Sequence, residues 1–153
     1  MKKIIIIFVI IIAILGSFCY IYAQKKITDN RKIANYGKYN TLLNKEMLGT
    51  DLASLINESI DKNKSNEVKD DNGLYIENDE NSIIIEIKFI DSDSPIRSEK
   101  IYLNGIQRFI ELYGSSNFKC TKVEFHKKTH EVKYLYFEEI DDSAQSNDNI
   151  NKQ

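Results

Sequence analysis

The chain has 153 residues, 42% hydrophobic and 29% charged, with 21 Lys and Arg against 23 Asp and Glu. That length leaves no room for two large globular domains, a multi-pass bundle or a useful repeat array, and a formal net charge of −2 excludes the basic footprint of a nucleic-acid binder. The charge is uneven: residues 1–23 hold no acid and only Lys2 and Lys3, so the rest of the chain carries 19 positive and 23 negative groups.

After a short tail, residues 1–3, Ile4 to Ala23 run for 20 residues without a charge. As a helix rising 1.5 Å per residue they would reach about 30 Å, the depth of a bilayer's hydrocarbon core. Thirteen of the 20 are Ile, Leu, Val or Phe, together favouring insertion by about 4–8 kcal/mol. Tyr20 and Tyr22 fall where amphipathic rings prefer the headgroup layer, and Lys25 and Lys26 follow as a stop. The pattern predicts a transmembrane signal-anchor helix over residues 4–23, with the lipid bilayer as its partner, the amino terminus inside and the C-terminal domain extracytoplasmic. A cleaved secretory signal is the competing reading, with Lys2 and Lys3 before an apolar stretch from Ile4 to Leu15 and small residues at Ser17 and Cys19, or at Ala23, for a peptidase. Phe18 occupies the position where a lipobox needs a small residue, which argues against lipidation at Cys19.

Residues 24–48 are polar with Tyr39, Leu42, Leu43 and Met47 at helical spacing, which predicts a juxtamembrane helical stalk. Gly49 reads as its stop and Thr50 as the N-cap of a second helix with Leu52, Leu55, Ile56 and Ile60 on one face. The run Asp61 to Asn72 is too polar to bury and predicts a solvated connection. Leu74–Glu77 and Ser82–Asp91 then read as a hairpin, the second strand setting Ile83, Ile85, Ile87 and Phe89 on one face.

Pro95 ends that strand, and Arg97–Tyr102 fits either a short edge strand or the approach to a helix. Asn104 with Gln107 resembles a capping box, Ile106, Phe109, Ile110 and Tyr113 form an apolar stripe, and Gly114 suits a left-handed cap, so residues 104–113 read as a helix. Phe118–His126 and Glu131–Glu139 are two further strands. In the first, Phe118 and Cys120 share one face and Val123 and Phe125 the other, which predicts a bulge near Thr121. The second is apolar on both faces, as a central strand is. Residues 141–153 read as a disordered tail. The fold class is therefore α+β: a transmembrane helix extended by a polar helix, then an extracytoplasmic domain over residues 49–140 with a small antiparallel sheet of four to five strands and one or two packed helices.

No catalytic, cofactor-binding or metal-binding residue is assigned. His126 and His130 lie at opposite ends of a solvated turn rather than on one helical face, and His130 sits where positive φ is tolerated. Asp91 and Asp93 fail as a calcium loop because Ile96 and Tyr102 occupy the positions that need Gly and Glu, and Asp70, Asp71, Asp79 and Glu80 read as solubilising turns. The glycines are isolated, so no phosphate loop is present. Cys120 reads as a small core residue. Asn57-Glu58-Ser59 and Asn63-Lys64-Ser65 match the glycosylation pattern, and Tyr102, Tyr113, Tyr134 and Tyr136 are candidates for a partner-binding or carbohydrate-binding face.

One apolar N-terminal helix leading into a polar helix, a spacer and strands resembles type IV pilin-like and pseudopilin-like proteins of AT-rich Gram-positive bacteria. The resemblance is carried by residues 4–63, in particular Asn35-Tyr36-Gly37-Lys38-Tyr39-Asn40 and Gly49-Thr50-Asp51-Leu52-Ala53-Ser54-Leu55-Ile56. It implies a membrane-anchored assembly subunit. The processing residue and helix Glu of that family have no counterpart around Lys3-Ile4, and no functional residue is carried over. The expectation is a non-enzymatic, single-pass envelope protein whose domain binds another envelope component, a protein or polysaccharide, with no cofactor; a secreted binding domain or a pilin-like subunit is the alternative.

Overall fold

A computed structural model describes residues 12–26 and 38–141; the chain divides into two compact units, Met1–Ala34 and Asn35–Gln153. The described part of the first unit is one helix, residues 12–26. It takes in Gly16, Ser17, Gln24, Lys25 and Lys26. Among the described residues no helix is long and apolar enough to cross a membrane. This finding overturns the transmembrane signal-anchor helix predicted over residues 4–23 and the single-pass, extracytoplasmic placement built on it. Residues 1–3, residues 4–11 of that segment, residues 27–37 of the predicted stalk and residues 142–153 of the predicted tail lie outside the described residues.

The second unit is α+β. Residues 38–40 make one helical turn, and the chain then enters strand β1, Glu46–Leu48, so the stalk helix predicted through residue 48 is interrupted. Asn44 adopts a φ of 62° and its N–H donates to the Cys120 carbonyl at 2.7 Å, which diverts the backbone from helix into the sheet.

Helix α1, Gly49–Ser65, buries Leu52, Ala53, Leu55, Ile56 and Ile60. It starts one residue before the predicted Thr50 cap, with Leu48 as N-cap and no side-chain cap bond. Its first donors find backbone partners instead: Gly49 N–H donates to Ser116 O at 2.9 Å and Thr50 N–H to Gly114 O at 3.2 Å, satisfying groups that a helix start otherwise leaves to a polar side chain. The approach is so close that a Cβ on Gly49 would lie 1.9 Å from the Tyr113 carbonyl oxygen. At its other end α1 runs into the stretch expected to be a solvated connection, because Asn63 continues the buried stripe and is only 1% exposed. Its Nδ2 donates to Ile83 O at 2.7 Å and its Oδ1 accepts from Ile83 N–H at 2.8 Å.

Strands β2, Asp70–Asp71, and β3, Leu74–Tyr75, pair as a separate hairpin. Asn72 and Gly73, at φ 51° and 78°, supply the turn. The predicted pairing of residues 74–77 with 82–91 does not form. Strand β4, Ile84–Lys88, instead lies parallel to β7, Val132–Ile140, and antiparallel to the short β5, Ile96–Arg97. With β6, Asn117–Phe125, the five-stranded order is β1-β6-β7-β4-β5. The sheet is therefore mixed, correcting the all-antiparallel expectation; the chain leaves β4 and returns to β7 through β5, two helices and β6, the long crossover that a parallel pair requires. β7 is central, as its two apolar faces suggested. The ladder between β6 and β7 skips Thr121 between Cys120 and Lys122, at the predicted bulge.

Helices α2, Ser98–Leu103, and α3, Ile106–Tyr113, replace the single helix expected from Asn104. Gly105, at φ 98°, caps α3 without any side-chain bond, so the Asn104 capping box does not form. Gly114 is right-handed, at φ −58°, not a left-handed cap. Ile56, Ile85, Ile87, Phe118, Cys120, Leu135 and Phe137 are fully buried in the core. Replacing Asn63 with Leu, which leaves the buried Ile83 N–H and C=O without partners, is expected to destabilise the domain by about 2–4 kcal/mol; urea unfolding of the two chains measures it.

Candidate functional site

Four aromatic side chains meet where the end of β4 passes under α3. Phe89 packs against Tyr113 at 4.6 Å between ring centroids and edge-on against Phe109 at 6.3 Å and Phe118 at 6.0 Å. These rings back a concavity of about 270 Å³ formed by Phe89, Asp91, Ser92, Ile96, Ile101, Asn104, Gly105, Arg108, Phe109, Leu112 and Tyr113. Its wall is apolar, and Leu112 on its rim is 63% exposed, an arrangement that leaves hydrophobic surface in water without a partner.

Two charges share the rim. Among the described residues neither the Arg108 guanidinium nor the Asp91 carboxylate has an ion-pair or side-chain hydrogen-bond partner. Asp91 stands on a pinned turn: Ser92 N–H and Oγ donate to the Phe89 carbonyl at 3.2 and 3.0 Å, Phe89 N–H donates back to Ser92 Oγ at 3.2 Å, and Lys88 Nζ donates to the Ser92 carbonyl. The groove is thus a rigid apolar slot with two unused charges of opposite sign.

A second cleft of about 400 Å³ lies between α1, α2 and the β2–β3 hairpin, lined in part by Lys64, Tyr75, Glu99 and Tyr102. Its buried carboxylate is already saturated. Glu99, 1% exposed, pairs with Arg97 and accepts from Tyr75 N–H at 3.3 Å and Ser98 Oγ at 3.4 Å, while Arg97 Nη2 donates to Tyr75 O at 2.8 Å. One ion pair thereby clips both backbone groups of Tyr75. Lys64 Nζ donates to the Tyr102 hydroxyl at 3.2 Å and lies 4.9 Å from its ring centroid, engaging the phenol's polar end.

The remaining candidates are structural. Tyr39 donates to Glu58 Oε1 at 3.1 Å and accepts from Lys62 Nζ at 3.0 Å; burial pushes the Glu58 carboxyl up, but hydrogen bonds from Lys38 and the charge of Lys62 prevail and hold it below the ordinary carboxylate range. His126 is not in a solvated turn: it is 2% exposed and its Nε2 donates to Ser82 O at 2.8 Å, whereas His130 is exposed at φ 57°. Among the described residues no three His, Cys, Asp or Glu stand close enough to hold a metal ion. Asp70 and Asp71 serve the hairpin turn, through Gly73 N–H and Asn72 Nδ2. The buried amide of Asn63 rules it out as a glycan acceptor in the folded domain. The tyrosines do not form one face: Tyr113 lines the groove, Tyr102 the second cleft, and Tyr134 and Tyr136 project from β7 opposite Leu135 and Phe137. Asp91 and Arg108 are not visible as neighbours in the sequence; they lie 17 positions apart and come to one concavity only through the turn after β4 and the exposed face of α3.

No family model matches the chain, and the searches of curated proteins and of solved structures found no match either.

Burial pushes the Cys120 thiol up to about 11, in the core position expected for it. In a Cys19→Ser chain at pH 8, a thiol-reactive dye should label nothing until the protein is unfolded; rapid labelling of the native chain would contradict this burial. A thiol raised in the folded state contributes its full stability below the unfolded value, about 8.5, and loses it as pH climbs toward 11. Glu99→Ala removes the acceptor of the buried Tyr75 N–H and the ion-pair partner of Arg97 and is expected to lower stability by about 1–3 kcal/mol, read as a fall in the denaturation midpoint.

Proposed function

We propose that the chain is a non-enzymatic binding protein that seats an apolar surface of a partner protein in the groove between α3 and the end of β4. The observation that carries this reading is the exposed Leu112 beside an aromatic-backed slot. Apolar area left in water gains about 25 cal/mol per Å² when a partner covers it, and rigid aromatic walls lose little conformational entropy on binding. The two rim charges, unpaired among the described residues, add selectivity, because a partner that buries them must present their complements or leave them unpaired at a cost.

The second cleft lacks these properties, since its carboxylate is internally neutralised and its Tyr102 hydroxyl is bonded by Lys64. Catalysis finds less support: the only wholly buried thiol and imidazole described, Cys120 and His126, are held in the core and against the Ser82 carbonyl, away from the groove's lining.

The test uses an uncharged fluorescent apolar probe, N-phenyl-1-naphthylamine, with the full chain at low protein concentration. Leu112→Glu should weaken the part of the binding assigned to the groove about tenfold without altering the circular dichroism spectrum, because Leu112 contributes nothing to the core. Probe binding unchanged by that substitution would end the groove reading.

A further inference from the structure

We infer that the partner seated in this groove is a second copy of the same chain, arranged about a two-fold axis with Arg108 of each copy facing Asp91 of the other. The inference rests on the groove being a docking surface and goes further by naming its occupant. A two-fold interface is made by one patch meeting itself, so any group on the patch must find its complement elsewhere on that patch. The groove region meets this condition in shape and in charge.

In shape, a concavity alone cannot pack against its own copy; it needs a protrusion beside it. Leu112, 63% exposed, rises on the rim, and Ile90, 54% exposed, stands on the turn between the lining residues Phe89 and Asp91. Leu112, itself on the wall, is the protrusion that enters the slot of the other copy. In charge, the rim carries one cation and one anion. Within one copy Arg108 has no carboxylate within ion-pair distance and Asp91 no cation, among the described residues, although both line the same concavity. A two-fold rotation places each opposite the other's kind, forming two equivalent ion pairs and leaving no rim charge over. A second copy supplies both signs by symmetry.

Arg108 and Leu112 are four residues apart on α3, so they share its outer face. The arrangement therefore brings the two α3 helices side by side across the axis. Burial of Leu112 supplies the attraction, and the ion pairs fix the orientation, since exposed pairs each contribute little net affinity.

A charge exchange tests this directly. Full chains bearing two different tags are co-expressed, and the fraction of the second tag captured with the first is measured. Arg108→Asp alone places Asp against Asp91 in a homotypic pair, and Asp91→Arg alone places Arg against Arg108; each should reduce homotypic capture about tenfold or more. Co-expressing the Arg108→Asp chain with the Asp91→Arg chain restores opposite charges at both contacts, and capture should return to within about twofold of the unaltered chain. A single chain carrying both substitutions should likewise recover, which guards against a single variant that fails to fold. Capture indifferent to the single reversals, or a mixture that does not recover, overturns the second copy as the occupant. The groove itself is judged separately: if N-phenyl-1-naphthylamine binding still depends on Leu112 after the exchange has failed, the docking surface stands with another partner.

Discussion

The fold turns on one carboxamide. Asn63 closes both hydrogen bonds with the backbone of Ile83 from inside the protein, joining the last turn of α1 to the residue that precedes β4. No water reaches these groups, so the two bonds set where β4 starts, and through its register with β7, Ile85 opposite Leu135 and Ile87 opposite Phe137, they set the alignment of the sheet's centre under the helices. The attachment spreads along the same loop. Asn66 Nδ2 donates to Asn81 O at 3.1 Å, Asn78 Oδ1 accepts the N–H groups of Glu80, Asn81 and Ser82, and His126 and Thr129 reach in from the β6–β7 turn to the carbonyls of Ser82 and Glu80. A loop without secondary structure is thereby held as firmly as a strand, by side chains that replace the missing ladder.

The groove inherits this rigidity. β4 is fixed at its start by Asn63 and at its end by the Ser92 turn, so Phe89 arrives under α3 in one position. Gly105, at φ 98°, lets the chain turn between α2 and α3, and the pair of half-buried Arg97 with buried Glu99, at the junction of β5 and α2, anchors the hairpin through Tyr75. The surface offered for association is therefore built before any partner arrives, which removes most of the ordering cost that weakens binding by flexible segments. The polar face of β7 is organised differently: Tyr134 donates to Glu86 at 2.7 Å and lies under Lys122 at 5.2 Å, so its aromatic rings and charges satisfy one another.

What was legible in the sequence was whatever depends on neighbours in the chain. The stripe of Leu52, Ile56 and Ile60, the alternation from Ile83 to Phe89, the face change at Thr121 and the double-sided Val132–Phe137 all follow from local periodicity and reappear in the structure. What depended on distant partners was not. The start of α1 was assigned to Thr50 because a side-chain cap is the usual device, whereas the actual acceptors, Ser116 and Gly114, come from the far side of the fold. The parallel pairing of β4 with β7 leaves no trace in either strand's pattern. The apolar run at the amino terminus meets a length criterion as a composition, but among the described residues no helix is long and apolar enough to cross a membrane. Asn63 was hidden in a run that looked soluble; the one available signal was that it extends the helical spacing of Ile56 and Ile60. Of the groove, the apolar half of α3 was readable and the rim was not, since Asp91 looks like any acid in a turn.

The position of β7 has a consequence for how the protein is made. The strand at the middle of the sheet is the last of the five to be synthesised, so Ile84–Lys88 must wait for a neighbour about fifty residues downstream. During translation the isoleucine row of β4 is covered by α1, the two-residue β5 and the following helices but has no strand on its β7 side, and the nascent chain carries an unfinished, adhesive strand edge until residue 140 emerges from the ribosome. Insertion of that final strand converts a loose set of local pieces into one cooperative unit in a single step, and a ribosome stalled before it would release a product prone to aggregate.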